Sequence, residues 1–261
     1  GAVSTAIISE VEKLASNFGK NNVGQQRQIM LEYAQPNTHK EIHIGHLRNL
    51  VIGVALHRIL PASGWNVVAP SYHGDVGAHV AKCLWLLENE GGLGAIPQSY
   101  RTGKTLGDMY ARAEAMLEAK PELKTQVSEV QRKLEAGDTH LVAILEETKS
   151  WSIRDMDEIF EELGVEIERR YFESEVTHAG QDVVDELLNL KIAKESDGAI
   201  IVDLEHEKLG VFVVRKSDGT SLYATKDLAL AQLKFEEYPD LERSLHVVDT
   251  RQEFYFKQLF N

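Results

Sequence analysis

The sequence predicts an α/β fold built on a doubly wound parallel sheet with an all-helical insertion. Apolar stretches of strand length alternate with stretches whose apolar residues recur at helical spacing, which is the pattern of a parallel sheet covered by helices. Between residues 104 and 163 this alternation stops, and long polar amphipathic stretches predict helices with solvent-exposed faces. The alternation then resumes, so we expect both halves of the chain to contribute strands to one sheet.

The elements of the first half follow from their local patterns. A helical periodicity at the start of the chain ends at Gly19 and the "KNN" after it. Apolar runs bounded by turn residues such as Pro36 then predict strands, while apolar residues spaced three and four apart predict helices. The predicted elements are a helix at 5–18, a strand at 27–34, a helix at 44–60, a strand at 66–73 and a helix at 77–89.

The second half shows the same alternation with one hairpin signal. Asp218-Gly219 is a dipeptide typical of tight hairpin turns, so we expect a hairpin within 211–225 that places Tyr223 on its second strand. A final helix is expected to run to Asn261. The other predicted elements are strands at 165–175 and 199–204, a helix at 226–238 and a strand at 244–249.

Composition excludes several classes of protein. The only cysteine, Cys83, rules out a disulfide framework within the chain and favours an intracellular setting. No apolar run is long enough to predict a transmembrane helix. The formal net charge of −13 is unlike that of a general nucleic-acid binder, because phosphate contacts need lysine and arginine.

The stretch "QPNTHKEIHIGHLRN" (35–49) holds three histidines and a glycine between a predicted strand and a predicted helix. One interpretation is a metal site in which His43 and His46 join His73 and Asp75 from the turn after the next strand. Both turns follow neighbouring strands, where open α/β sheets bind ligands. The H-x-x-H spacing alone is weak, because it occurs often by chance. This interpretation would make the protein a metal-dependent hydrolase.

The second interpretation of the stretch is a phosphate-binding turn. A helix N-terminus presents free N–H groups and the positive end of its dipole to anions. Gly45 permits close approach of a phosphate or nucleoside to the backbone, and His43 and His46 can donate hydrogen bonds as charge develops on phosphate oxygens. This interpretation gives Gly45 a role that a metal site does not, and it leaves His39 incidental.

The motif "HIGH" after a first strand and a proline resembles the signature of class I aminoacyl-tRNA synthetases. The longer string "EYAQPNTHKEIHIGHLRN" is similar to the arginyl-tRNA synthetase family in particular, and so are "HGDVGAHVAK", "SDGTSLYATKDLALA" and "HVVDTRQEFYFKQLF". The Tyr-x-x-x-Asp of "YATKD" and the Glu-x4-Asn before "HIGH" narrow the resemblance to arginine. It covers nearly the whole chain, and it implies a Rossmann-like fold and ATP-dependent attachment of L-arginine to its tRNA through arginyl-adenylate.

Carried onto this sequence, the resemblance implies an arginine-binding set. Glu32 and Asp227 would bind the guanidinium, with a hydroxyl from Tyr223. Asn37 and Gln258 would hold the amino-acid end. The residue types fit, because a planar cation with a fixed fork of donors needs well-placed carboxylates. A carboxylate inside an apolar strand, as predicted for Glu32, would also be costly without a partner.

The resemblance further implies how the nucleotide is handled. His43, Gly45 and His46 would bind ATP, and the two histidines would act catalytically by stabilising charge on the transferring and leaving phosphates. Lys40 is the third expected catalytic residue. Mg²⁺ is expected to arrive on the ATP rather than in a protein metal site. We expect Asp75 to cap its turn.

The resemblance also implies an organisation and a set of partners. We expect the partners to be L-arginine and tRNA(Arg), without binding to a membrane. We expect the protein to be a monomer in the cytoplasm. A KMSKS-type segment and an anticodon-binding domain would lie beyond Asn261, so the isolated chain is expected to activate arginine weakly or not at all. Gln35 departs from the serine of many relatives, and a non-catalytic arginine-binding paralogue remains an alternative. The expected divisions are 1–26, an N-terminal helix and linker; 27–89, the first half of the nucleotide-binding catalytic domain; 90–163, the helical insertion; and 164–261, its second half.

Overall fold

The structure, a computed structural model, describes residues 2–177, 179–217 and 223–261. The strands are β1 (Gln28–Glu32), β2 (Asn66–Val68), β3 (Pro70–His73), β4 (Arg169–Phe172), β5 (Ala193–Ser196), β6 (Ala199–Leu204), β7 (Gly210–Arg215) and β8 (Leu241–His246). The helices are α1 (Ala2–Leu14), α2 (Ile44–Ala62), α3 (Ala78–Asn89), α4 (Gly103–Ala119), α5 (Lys124–Glu135), α6 (Thr139–Leu163), α7 (Glu173–Val176), α8 (Ala179–Asn189), α9 (Tyr223–Glu237) and α10 (Glu253–Leu259).

A parallel sheet forms the centre of the fold. β1 pairs with β8 on one side and with β2 on the other, and β3 pairs with β4. A parallel bridge between Ala34 and Ser71 joins the two sets of strands. Because β2 and β3 are consecutive pieces of one extended run, the spatial order is β4, β2/β3, β1, β8. The chain therefore moves outward in one direction and then returns to the other side of β1, which confirms the predicted doubly wound sheet.

The close packing of α2 on the sheet depends on a glycine. A Cβ atom at Gly53 would lie 2.0 Å from the ring of Tyr33, which follows β1 and is fully buried. Glycine therefore lets the helix approach the carboxyl end of the central strand. This approach fixes the position of the α2 N-terminus, which carries the HIGH motif.

The stretch between the halves of the sheet is helical, as its pattern predicts. Helices α4, α5 and α6 pack with α3 around a buried apolar cluster that includes Leu84, Leu106, Ile144 and Trp151. The apolar face of α3 therefore belongs to the core of this helical region. Among the described residues, no helix is long and apolar enough to cross a membrane.

A second sheet, antiparallel and ordered β5-β6-β7, was not predicted as a separate unit. Its first hairpin turns at Asp197-Gly198, whose φ angles of 51° and 78° suit an Asp-Gly pair. The hairpin expected at Asp218-Gly219 lies outside the described residues. The placement of Tyr223 on a strand is wrong, because Tyr223 begins α9.

Two further predicted boundaries differ from the structure. The strand expected over 165–175 is only β4, since its last three residues form the start of α7. The carboxylate of Glu175 accepts the N–H of Phe172 at 2.8 Å, which ends the strand and begins the helix. The run predicted at 66–73 is interrupted at Ala69, between β2 and β3.

Candidate active site

One large cleft of about 1100 Å³ opens at the carboxyl ends of the parallel strands. It lies beyond the ends of the paired strands β1 and β8, where the strand order reverses and doubly wound sheets bind their ligands. The predicted residues that line it are Glu32, Asn37, His43, Gly45, His46, Tyr223 and Asp227. Lys40 and Gln258 do not line it. The cleft therefore brings together the predicted ATP-binding residues, at one end, and most of the predicted arginine-binding residues, at the other.

The HIGH turn forms one end of the cleft and is held by backbone-to-histidine hydrogen bonds. Gly45 N–H donates to His43 Nδ1 at 3.1 Å, and the backbone N–H of His43 donates to His46 Nδ1 at 3.2 Å. The two imidazole rings stack with their centroids 4.0 Å apart. Each histidine thus caps the start of α2, where helix N–H groups lack partners.

These caps decide which ring nitrogen of each histidine can donate a hydrogen bond. Because Nδ1 accepts in both rings, a neutral imidazole must carry its proton on Nε2. Burial, together with the neighbouring His43 and Lys40, lowers the pKa of His46 to about 4, so its ring is neutral at pH 7. Both histidines can then offer an Nε2–H donor to an anion without bringing a charge of their own.

Gly45 is required by the fit of the His43 ring. A Cβ atom there would lie 2.9 Å from His43 Cε1 and 3.1 Å from its Nδ1. Any larger residue would push this imidazole away from the helix start. Asn37 packs against the loop after β3, since its Oδ1 would lie 2.5 Å from a Cβ at Gly74.

Lys40 points away from the cleft. Its ammonium lies over the ring of Tyr110 on α4, 4.8 Å from the ring centroid. The chain thus places this predicted catalytic residue against the helical region, where a cation–π contact holds it.

The opposite end of the cleft holds a buried carboxylate with an internal counter-ion. Glu32 is 3% exposed, and its Oε2 accepts from Lys234 of α9, whose side chain is also buried. Its Oε1 accepts from Gln35 Nε2 at 3.1 Å and lies 3.4 Å from His246 Nδ1. Burial raises the pKa of Glu32, but Lys234 and His246 together lower it well below the usual range.

Asp227 is the second carboxylate at this end, and among the residues that the structure describes it has no basic partner in direct contact. Tyr255 donates its hydroxyl hydrogen to Asp227 Oδ2. Burial raises the pKa of Asp227 to about 6, the Tyr255 hydrogen bond opposes that rise, and the charge of Glu32 adds to it. A cation entering the cleft would therefore find Asp227 uncompensated.

Two members of the predicted arginine-binding set lie at the margin. Tyr223 lines the cleft but is 75% exposed. Gln258 faces the small sheet, and its Nε2 donates to the carbonyls of Leu209 and Val211 at 2.8 and 3.3 Å. The contact predicted for Gln258 thus has no support from its position, whereas Gln252 does line the cleft.

The histidines and Asp75 proposed for a metal site have other partners. His73 is fully buried, with Nδ1 2.7 Å from the carbonyl of Pro36 and Nε2 2.9 Å from Ser71 Oγ. Asp75 accepts both the N–H and the hydroxyl of Ser174, at 2.9 and 2.7 Å. Asp75 therefore caps the start of α7 rather than the start of α3, which follows Asp75 in sequence. Within the described parts of the chain, no group of three or more potential ligands could hold a metal ion.

The sequence pattern missed some residues of the cleft. Glu173 lines it from the end of β4 and pairs with Lys226 of α9. Lys234 reads as an ordinary helical lysine, and Tyr255 as part of an aromatic helix. Glu173 could have been predicted from its place at the end of a predicted strand, because the carboxyl ends of parallel strands meet at one edge of the sheet.

Fold and cleft together define a class I aminoacyl-tRNA synthetase core, with the HIGH turn at the switch point of a doubly wound sheet. Residues 9–261 match the family described as tRNA synthetases class I (R), catalytic domain. The chain belongs to this family.

Relatives and solved structures agree with that assignment. The chain is 40% identical to an arginine–tRNA ligase of Bdellovibrio bacteriovorus over 94% of its length and 43% of that protein. It is 32% identical to one of Treponema denticola, over 100% of the chain and 45% of that protein. It thus spans less than half the length of these curated relatives.

Two solved structures share the fold. The arginyl-tRNA synthetase of Plasmodium falciparum matches with a TM-score of 0.74 and 21% identity, over 92% of this chain and 40% of that one. That of Thermus thermophilus matches with a TM-score of 0.63 and 25% identity, over 87% of this chain and 38% of that one.

Proposed function

We propose that this chain is the catalytic core of an enzyme that activates L-arginine with ATP and transfers it to tRNA(Arg). One observation carries the proposal: a single cleft has neutral hydrogen-bond donors at one end and the uncompensated carboxylate of Asp227 at the other. Such a cleft fits a molecule with a cationic side chain that reacts with a phosphate. The family membership and the names of the relatives support the same reaction.

The reaction has two steps. A carboxylate oxygen of arginine attacks the α-phosphorus of ATP, and the bond to the bridging oxygen breaks to release pyrophosphate. The terminal ribose hydroxyl of tRNA then attacks the arginyl carbonyl, and AMP leaves. Neither step needs a covalent bond to the protein.

Each end of the cleft has its own task in this proposal. His43 and His46 donate through Nε2–H to phosphate oxygens, where negative charge grows in the transition state. Asp227 pairs with the guanidinium, and binding of that cation keeps its carboxyl group ionised. Glu32 lines the same end and adds its negative charge there, while Lys234 balances part of that charge.

The amino-acid end of arginine has fewer assigned contacts. Asn37 and Glu173 line the middle of the cleft, where they can receive the α-amino group, and Tyr223 closes one margin. The role proposed for Lys40 requires that its side chain leave Tyr110 when ATP binds.

Several features of the whole protein belong to the same proposal. Mg²⁺ would come with ATP, consistent with its preference for phosphate oxygens and water. The enzyme would work as a monomer in the cytoplasm, with the divisions 1–26, 27–89, 90–163 and 164–261. Because the chain spans less than half of its relatives, we expect these 261 residues alone to activate arginine weakly.

Calorimetry with L-arginine and L-lysine tests the substrate assignment. Arginine should bind at least about tenfold more tightly, because a planar guanidinium can contact two carboxylates at once. Asp227→Ala should abolish that preference, whereas Asp240→Ala, at an exposed aspartate, should leave it unchanged. Equal affinities for the two amino acids, or no binding of either, would overturn the assignment.

A further inference from the structure

The loops that form the catalytic end of the cleft are all tied to one helix, α6 of the helical region. Its side chains contact the loop after β1, which carries Asn37 and the HIGH turn, and the loop after β3. Through the second loop they also reach the start of α7, which carries Glu173. A helix of 25 residues with a side-chain cap at its start and a glycine at its end is a rigid place for such contacts.

His39 is the main link to the loop after β1. It is fully buried with a positive φ of 60°, a conformation that surrounding contacts must maintain in a residue other than glycine. Its backbone N–H donates to Ser152 Oγ at 3.0 Å, and its Nε2 lies 2.9 Å from Thr148 Oγ1. Two residues one turn apart on α6 therefore hold both the backbone and the ring of His39.

Each ring nitrogen of His39 has one hydroxyl partner. Thr148 Oγ1 lies 2.9 Å from Nε2 and also donates to the carbonyl of Ile144 at 2.8 Å. Thr38 Oγ1 lies 2.9 Å from Nδ1 and 3.2 Å from the carbonyl of Gly74. Burial is the main cause that lowers the pKa of His39 to about 3, so the ring is neutral, with one nitrogen donating and the other accepting. In either tautomer Thr148 and Thr38 hold the ring between them.

The link continues from Thr38 to the neighbouring strand. The backbone N–H of Thr38 donates to the carbonyl of Gly74 at 3.0 Å, which joins the loops after β1 and β3. A second path starts at Lys149, whose ammonium lies 3.4 Å from Asp75 Oδ2. Asp75 in turn holds the N–H of Ser174 at 2.9 Å, which fixes the start of α7.

Within the described residues, no α6 side chain hydrogen-bonds directly to the carboxylates of the cation end. Asp227 lies on α9 and contacts Tyr255 of α10, while Glu32 contacts Lys234 and His246 and accepts from Gln35 of the loop after β1. A disturbance on α6 should therefore act more strongly on the phosphate end than on guanidinium recognition.

We propose that Thr148 and Ser152 of α6 are positioning residues that set the HIGH loop for catalysis through their hydrogen bonds to His39. The inference rests on the proposed function for its kinetic consequence, but the ordering of the loop does not depend on that function. The helical region then has a role beyond packing, because α6 holds the loops of the phosphate end in position.

The first test measures loop order directly. Thr148→Val keeps the shape of the side chain and removes the hydroxyl that hydrogen-bonds to His39 Nε2. Amide hydrogen exchange over residues 37–46 should then accelerate by about tenfold or more, because the loop opens locally more often. Ser150→Ala is the matched control, since Ser150 is exposed on the same helix and bonds only its own helix carbonyl, and it should not alter exchange. Unchanged exchange in Thr148→Val would overturn the proposal.

The second test measures catalysis in a protein of the relatives' full length that contains this chain. Thr148→Val should lower the kcat of arginine-dependent ATP–pyrophosphate exchange by about tenfold or more, since small misplacements of reacting groups are costly. The KM for arginine should change less than the kcat, because no α6 side chain in the described residues bonds directly to Glu32 or Asp227. Rates are divided by the number of arginine sites found by calorimetry, so loss of folded protein does not imitate the effect.

Rescue separates positioning from general stability. Thr148→Ser retains the hydroxyl, so it should restore most of the kcat and the exchange protection, and Ser152→Ala should resemble Thr148→Val. A Thr148→Val enzyme with wild-type kcat, or an equal loss in Thr148→Ser, would contradict the inference. Absence of exchange activity in the wild-type enzyme would instead overturn the proposed function, while the hydrogen-exchange result would still decide the inference.

Discussion

The two ends of the cleft recognise their ligand groups in opposite ways. The phosphate end uses neutral imidazoles, His43 and His46, whose orientation comes from hydrogen bonds to the helix backbone. The cation end uses buried carboxylates, of which Glu32 has an internal counter-ion and Asp227 does not. One end is therefore organised by geometry and the other by charge balance.

This difference suits the two groups they are proposed to bind. A phosphate that gains charge during the reaction is best met by fixed donors that are already oriented, because they need no rearrangement. A guanidinium keeps its charge throughout, so its site needs one uncompensated negative charge and a shape that matches a planar fork. The following predictions test whether each end works as described.

The largest effect is expected where a buried charge loses its partner. Lys234→Met leaves the Glu32 carboxylate buried without its counter-ion, which should lower the free energy of unfolding by about 3–5 kcal/mol. Denaturant unfolding followed by circular dichroism measures the loss. Lys194→Met removes the exposed pair with Asp203 and should change the free energy of unfolding far less, because water screens that pair.

The double variant Glu32→Gln with Lys234→Met then checks the cause. It removes both charges, so most of the lost stability should return. If the double variant were less stable than Lys234→Met alone, charge balance would not explain this end of the cleft.

The next effect concerns the uncompensated carboxylate. Asp227→Asn keeps the shape but removes the charge, so the Kd for arginine should rise by about a hundredfold or more, as expected when a buried charge pair loses one partner. Calorimetry measures the change, with Asp240→Asn as the exposed control. A change of less than about threefold would place the guanidinium elsewhere.

At the phosphate end the expected effect is on rate rather than affinity. His46→Ala should lower the kcat of adenylate formation by about a hundredfold, the scale for loss of one oriented donor, with little change in the KM for arginine. His206→Ala, at an exposed histidine between β6 and β7, serves as the control in the same exchange assay. A rise in KM without a fall in kcat would show that His46 binds the ground state only.

The smallest predicted effect is a pH dependence. In the free protein the pKa of Asp227 is raised to about 6, and a bound cation lowers it, so protonation competes with arginine. Affinity should therefore fall by about tenfold as the pH drops from 7 to 5. Calorimetry at several pH values measures the trend, which Asp227→Asn should remove; greater affinity at pH 5 would contradict it.

The phosphate end of the cleft and the parallel sheet could be predicted from the sequence because their sequence patterns are local. The HIGH turn is one contiguous stretch between a strand and a helix, and the doubly wound order confirms what the alternating pattern predicted. The hydrogen bonds that fix Nε2 of His43 as the donor also lie within four residues.

The cation end was less predictable because its partners are distant in sequence. Glu32 and Lys234 are 202 residues apart in sequence, and nothing local to Lys234 sets it apart from a surface lysine. Similarly, Tyr223 was predicted to lie on a strand because it follows an Asp-Gly dipeptide closely in sequence, whereas it begins α9. Gln258 shares its helix with Tyr255, but the helical rotation turns it towards β7.

Arginine-dependent ATP–pyrophosphate exchange tests the central claim most directly. The assay uses a protein of the relatives' full length that contains this chain, with tRNA present, and compares L-arginine with L-citrulline, its neutral isostere. The two-ended cleft predicts exchange with arginine and at least about a hundredfold less with citrulline, because only the former carries the charge that Asp227 pairs with. Equal exchange with both, or none with arginine, would contradict the account.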